Sequence, residues 1–181
     1  MAWTSWQTFP TISSQTRTGS AVSWTNPSNA ASSDNTYATA TVTSNITHWL
    51  WCTGADFSEV PSGATITGVK IRFERKQNNL IDGGISTTYV QLIKGGALTG
   101  TEQTQSISWP AGDGVSSEIG GTGNLLGATF TEAEAIASDT GVAIAARDDA
   151  GFGTTGSIDV VEMAFEYTVP DTRRRVYSSM M

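Results

Sequence analysis

PSGATITGVKIRFERK, residues 61–76, decides the class of the fold. Val69, Ile71 and Phe73 alternate with Lys70, Arg72 and Glu74. Successive strand side chains point to opposite faces, so this alternation gives one apolar and one charged face: a strand with a core on one side and water on the other. Asn78-Asn79 and Asp82-Gly83-Gly84 then provide turn chemistry, and STTYVQLIKGG (86–96) alternates again with Val90 and Leu92 on one side. The two segments are expected to form a long antiparallel pair. Upstream, YATATVT (37–43) and ITHWLW (46–51) are short runs of β-branched and aromatic residues bounded by polar turns. Downstream, GVAIAAR (141–147) places Val142, Ile144 and Ala146 on one face. In SIDVVEMAFEYT (157–168), Val161, Met163, Phe165 and Tyr167 are expected to face in and Glu162 and Glu166 to face out. Val160-Val161 breaks that phase, which predicts a β-bulge.

Composition agrees with this pattern. The 181 residues include 20 Ser and 27 Thr, a bias natural to strands joined by polar turns. Gly, Ser and Thr dominate residues 95–127, read as mostly loop with one short strand ending at Trp109-Pro110. Thr131-Glu132-Ala133-Glu134 has the form of a capping box, which predicts one short helix near 131–138. Seven or eight one-sided strands need a second sheet to bury their apolar faces. The expected fold is all-β, a two-sheet antiparallel β-sandwich of jelly-roll type with one short helix and extended terminal arms; a closed barrel is the alternative. The expected organisation is an N-terminal arm (1–23), a sandwich domain (24–170) and a basic C-terminal tail (171–181).

Seventeen acidic residues against ten basic ones give a net charge of -7, the wrong sign for a nucleic-acid or anionic-membrane footprint. One Cys and one His exclude an intramolecular disulfide and a usual zinc site. No basic start followed by an apolar run marks a signal peptide, and no run approaches the roughly 18 apolar residues of a spanning helix. Synthesis in a cytoplasm is the expectation.

Little in the sequence marks an active site. His48 lies in a strand-like run, where a histidine is more often a sheet residue than a base. A glycosidase needs two carboxylates, yet no acid here stands in a motif that marks it. Gly120 to Gly127 misses the dinucleotide spacing, and no Lys follows. Asp139, Asp148 and Asp149 offer oxygens for calcium without the loop pattern calcium sites show. No catalytic, cofactor or metal residues are expected.

The charge-poor first fifty residues hold Trp3, Trp6, Phe9, Trp24 and Trp49. Trp49 and Trp51 share one face of their strand and read as core or sheet-facing. Trp3, Trp6 and Phe9, placed in an arm, are the expected anchors on a partner, since Trp is enriched at interface hot spots. Arg173, Arg174, Arg175 and Tyr177 of the oppositely charged tail complete the expected partner-binding set.

The order of WTNPSNAASSDNTYATA (24–40), VPSGATITGVKIRFERK (60–76), YVQLIKGG (89–96), WPAGDG (109–114) and GSIDVVEMAFEYT (156–168) resembles a β-sandwich module of tailed-bacteriophage and prophage virion proteins, among them capsid cement or decoration proteins. The resemblance covers roughly residues 24–168 and rests on motif order rather than on any one motif. It implies a non-enzymatic virion component that assembles on a head or tail surface as a trimer; the leading expectation is a cement protein on the capsid surface that binds the major capsid protein, bridges its subunits and associates with itself. A carbohydrate-binding module of a tail fibre or adhesin, stacking exposed Trp and Tyr on sugar rings, is the rival expectation.

Overall fold

The structure, a computed structural model, describes residues 1–20, 22–78, 84–116, 118–149, 151 and 153–170. Its long strands are β4 (Ala38–Val42), β5 (Trp49–Thr53), β6 (Thr65–Gln77), β7 (Ile85–Lys94), β8 (Ala97–Ser106), β11 (Gly141–Asp148) and β12 (Thr154–Thr168). Shorter ones are β1 (Ala2–Trp3), β2 (Gln7–Thr8), β3 (Thr11–Gln15), β9 (Gly114–Val115) and β10 (Ile119–Gly121). In the seven-stranded sheet β12 pairs with β6 on one side and with β1, β2 and β4 on the other, while β9 and β10 pair with β6. The five-stranded sheet runs β3-β5-β11-β7-β8, and every strand pair is antiparallel.

Setting β1 to β3 aside and counting β9 and β10 together leaves a principal set from β4 to β12. In chain order its first, eighth, third and sixth members build one sheet and its second, seventh, fourth and fifth the other. That is the jelly-roll order of an all-β two-sheet sandwich. Val69, Ile71, Phe73, Leu92, Ile144, Val161 and Phe165 are fully or almost fully buried between the sheets. Phe165 meets the edges of Phe57 and Phe130 at centroid distances of 4.9 and 5.2 Å. No helix among the described residues is long and apolar enough to cross a membrane.

Several expectations change. Residues 61–76 and 86–96 do not pair with each other: β6 pairs with β12, and β7 with β11 and β8. Two one-sided strands can bury their apolar faces across the sandwich as well as beside each other, and alternation does not tell these apart. Residues 95–127 contain a ten-residue strand, β8, where mostly loop was expected. As an edge strand largely in water, β8 needs no apolar alternation, and its backbone pairing with β7 defines it. Trp109 lies past the end of that strand, buried, its indole N–H donating to Thr88 Oγ1 at 2.8 Å.

The capping box is present and opens a four-residue helix, α1 (Glu132–Ala135), shorter than 131–138. The bulge falls one residue earlier than the phase break: Asp159 is left unpaired between Ile158↔Arg75 and Val160↔Glu74. Of the turn residues, 79 and 82–83 lie outside the described set.

The first fifteen residues do not project as an arm. They add β1 and β2 to one sheet and β3 to the other, so the segment seams the sandwich along one side. Phe9, between β2 and β3, is wholly buried in the core and cannot anchor a partner. Of the three aromatic side chains in this segment Phe9 is the one drawn into the core, by the same burial that fills the rest of it.

Candidate functional site

Trp3 and Trp6 are half-buried on the outer face of the seven-stranded sheet. Lys70 Nζ sits 4.8 Å from the Trp3 ring and 4.5 Å from a Trp6 ring, and the Arg72 guanidinium sits 4.3 Å from Trp6. Trp3 and Trp6 are thus held by their own sheet through cation–π contacts. The segment is fastened further by Thr4, whose N–H donates to Phe165 O at 2.9 Å and whose hydroxyl accepts from Phe165 N at 3.1 Å. Arg173, Arg174, Arg175 and Tyr177 lie outside the described residues.

Beyond Trp6 the outward side chains of the paired strands β6 and β12 floor a cleft of about 330 Å³, with Thr8, Ser33 and Val115 at its sides. Arg72 Nε donates to Glu162 Oε2 at 2.6 Å, with both side chains still partly exposed. Next along β6, Glu74 accepts from Ser33 Oγ at 2.8 Å. Val115 on β9 and Val160 on β12 supply the apolar lining. The bulge builds one wall. Asp159 is buried, and its carboxylate accepts the backbone N–H groups of Asp34 and Asn35 at 3.3 and 3.1 Å, which fixes the loop that brings Ser33 to Glu74.

Glu166, expected in water, is buried. Burial pushes its carboxyl up, but hydrogen bonds from Gly123 N–H (2.9 Å), Thr67 Oγ1 (3.0 Å) and Thr122 outweigh that and hold it below the ordinary glutamate value. The Gly120–Gly123 turn that covers it closes tightly: a Cβ at Gly68 would lie 2.6 Å from Gly121 O.

The outer face of the five-stranded sheet differs from the polar face such a sheet normally shows. Trp49, Ile93, Ala143 and Ala145 are buried there outside the main core, with Ile46, Trp51 and Tyr89 half-buried around them. Trp49 and Trp51 do share a face, and it is this one; Leu50 and Cys52 take the core side. The Arg17 guanidinium lies 5.0 Å from the Trp49 ring and 4.5 Å from Tyr89, and its Nη2 donates to both oxygens of Glu102 at 3.0 and 2.9 Å. Single-parity reading of GVAIAAR missed this face, although apolar residues at both parities, from Val142 to Ala146, are the signature of a strand covered on both sides.

His48 Nδ1 lies 3.2 Å from Ser23 Oγ, and no hydrogen bond or ion pair among the described residues joins it to a carboxylate. Glu74 and Glu162 share one cleft, each already engaged, one with Ser33 and one with Arg72. Asp149 accepts from Ser86, Thr87 and Arg147, and no group of three or more potential metal ligands converges among the described residues. What the fold and its surfaces define is a jelly-roll sandwich with two chemically distinct outer faces. No protein-family model, curated protein or solved structure matches the chain.

Proposed function

We propose that this chain is a non-enzymatic structural protein of a tailed-bacteriophage virion, a capsid cement or decoration protein that binds the major capsid protein, bridges its subunits and associates with itself as a trimer. The observation that carries the reading is the apolar outer face of the five-stranded sheet around Trp51. On an isolated sandwich that face is normally polar; here the partly exposed rings of Trp51 and Tyr89, with Ile46, stand around a buried apolar layer, and such aromatic side chains are the kind that anchor a partner. Motif order supports the virion assignment, and the tail residues Arg173, Arg174, Arg175 and Tyr177 are proposed to add contacts of opposite charge to the acidic body. Trp3 and Trp6, committed to Lys70 and Arg72, are left a supporting role.

Shell binding is tested by sedimenting purified protein with empty phage shells and by heating particles with and without it. The wild-type chain is expected to co-sediment and to raise the temperature at which particles release DNA. Trp51→Glu, which puts a charge among the half-buried rings around that apolar layer, is expected to remain in the supernatant while still melting as a folded protein. Equal heat tolerance with and without the protein, and no co-sedimentation, would overturn the reading.

A further inference from the structure

We infer that the cleft over the outer face of the paired strands β6 and β12 is a binding site for a neutral saccharide. This goes beyond the shell-binding reading and does not depend on it, because the cleft opens on the opposite outer face of the sandwich. A volume of about 330 Å³ falls at the small end of ligand-sized sites, which run from roughly 300 to 1,000 Å³.

The lining alternates in the way a sugar ring does. A pyranose presents adjacent hydroxyls, each both donor and acceptor, round a rim of apolar C–H groups. Arg72 and Glu162 place a donor fork beside an acceptor, which suits two neighbouring hydroxyls, and the ion pair is exposed enough to be reached. Ser33 and Glu74 repeat that donor and acceptor arrangement a short way along β6. Val115, 62% exposed, and Val160, 6% exposed on the other side of Glu74, offer the C–H groups an apolar contact at the two sides of the cleft.

Charge selects the class of sugar. Glu74 and Glu162 bring two negative charges against the single positive charge of Arg72, and Glu162 already neutralises that guanidinium at 2.6 Å. The residual negative charge works against phosphorylated, sulfated or sialylated ligands. A wholly apolar ligand would leave these polar groups desolvated without partners.

Rigidity follows from placement. The charged groups stand on the two strands with the longest pairing in the molecule, Trp6 stacks on Arg72, and buried Asp159 pins the loop of Ser33. A site on such elements is held more closely than one on a free loop.

The test is an array of neutral and acidic glycans probed with the purified full chain, followed by calorimetric titration of the best neutral oligosaccharide. Retention of neutral saccharides is expected. Glu74→Gln, which keeps the shape and removes the charged acceptor, is expected to weaken binding about tenfold, and Ser33→Ala to weaken it less. Because a variant can lose its fold, the wild-type protein is also followed by NMR, in which the methyl signals of Val115 and Val160 should shift on saturation with that oligosaccharide. Retention of acidic glycans alone, no retention above background, or binding that leaves Glu74→Gln and both valine signals unchanged would each overturn the assignment. Trp51→Glu should bind saccharide normally, which separates failure here from failure of the shell-binding reading.

Discussion

At Glu166 a carboxylate lies beneath a glycine-rich turn with donors from Gly123 and Thr67 aimed at it, and its pKa in the folded chain is lowered from the ordinary 4.5. A depressed acid stabilises the fold at every pH above the unfolded value. As pH falls below about 4.5 the unfolded chain takes up the proton first, and the contribution is lost through the folded value. Glu166→Gln removes a charge-assisted acceptor, so it is expected to cost about 1.5–3 kcal/mol at neutral pH and progressively less in acid. Urea midpoints for both proteins across that range check this. A gap between them that stays constant with pH would assign Glu166 no charge-dependent role. Cys52 makes a simpler case: it is fully buried, and burial pushes its thiol up, out of the range where thiolate forms. A thiol reagent is expected to label the native chain negligibly and to titrate its one cysteine in denaturant.

Among the elements, the N-terminal segment makes the largest demand on packing. A free arm would tolerate substitution within about 0.5 kcal/mol, whereas a seam with Phe9 fully buried would not. Phe9→Ala is expected to destabilise the chain by about 3–5 kcal/mol, as emptied aromatic sites in cores do, and thermal melts will show the loss. The same element shows where sequence reading stops. β6 announces itself by alternation, β11 and β12 by runs of apolar residues, and α1 by Thr131 and Glu134, because each of those signals is local. Whether β6 lies beside β7 or across the core from it depends on free energy summed over both sheets, which no window of residues contains. β8 escapes notice because an edge strand is held by backbone hydrogen bonds that its side chains do not encode. The cleft was still less legible. Ser33, Glu74, Val115 and Glu162 come from separate elements and meet only after the sandwich closes, and only the bulge beside Val160 left a trace in the chain.

For the whole molecule, the two outer faces are separated by the full thickness of a two-sheet core, whose sheets pack about 10 Å apart before the outer side chains are counted. Sites at such a distance with no shared partner contribute almost independently. On the proposed reading, the face resting on a shell would leave the face turned outward unaltered. Trp51→Glu should therefore abolish retention on shells and leave saccharide binding intact, while Glu74→Gln should weaken saccharide binding about tenfold and leave retention on shells intact. The double variant should show each defect at its single-variant size. Titrating saccharide into free and shell-bound protein provides the matching measurement, and the two affinities should agree within about twofold, well under the fivefold or greater changes that allosteric coupling usually produces. A large difference would mean that the core transmits strain between β5 and β12, and the jelly roll would then be a coupled sensor of what covers it rather than an inert spacer between two ligands.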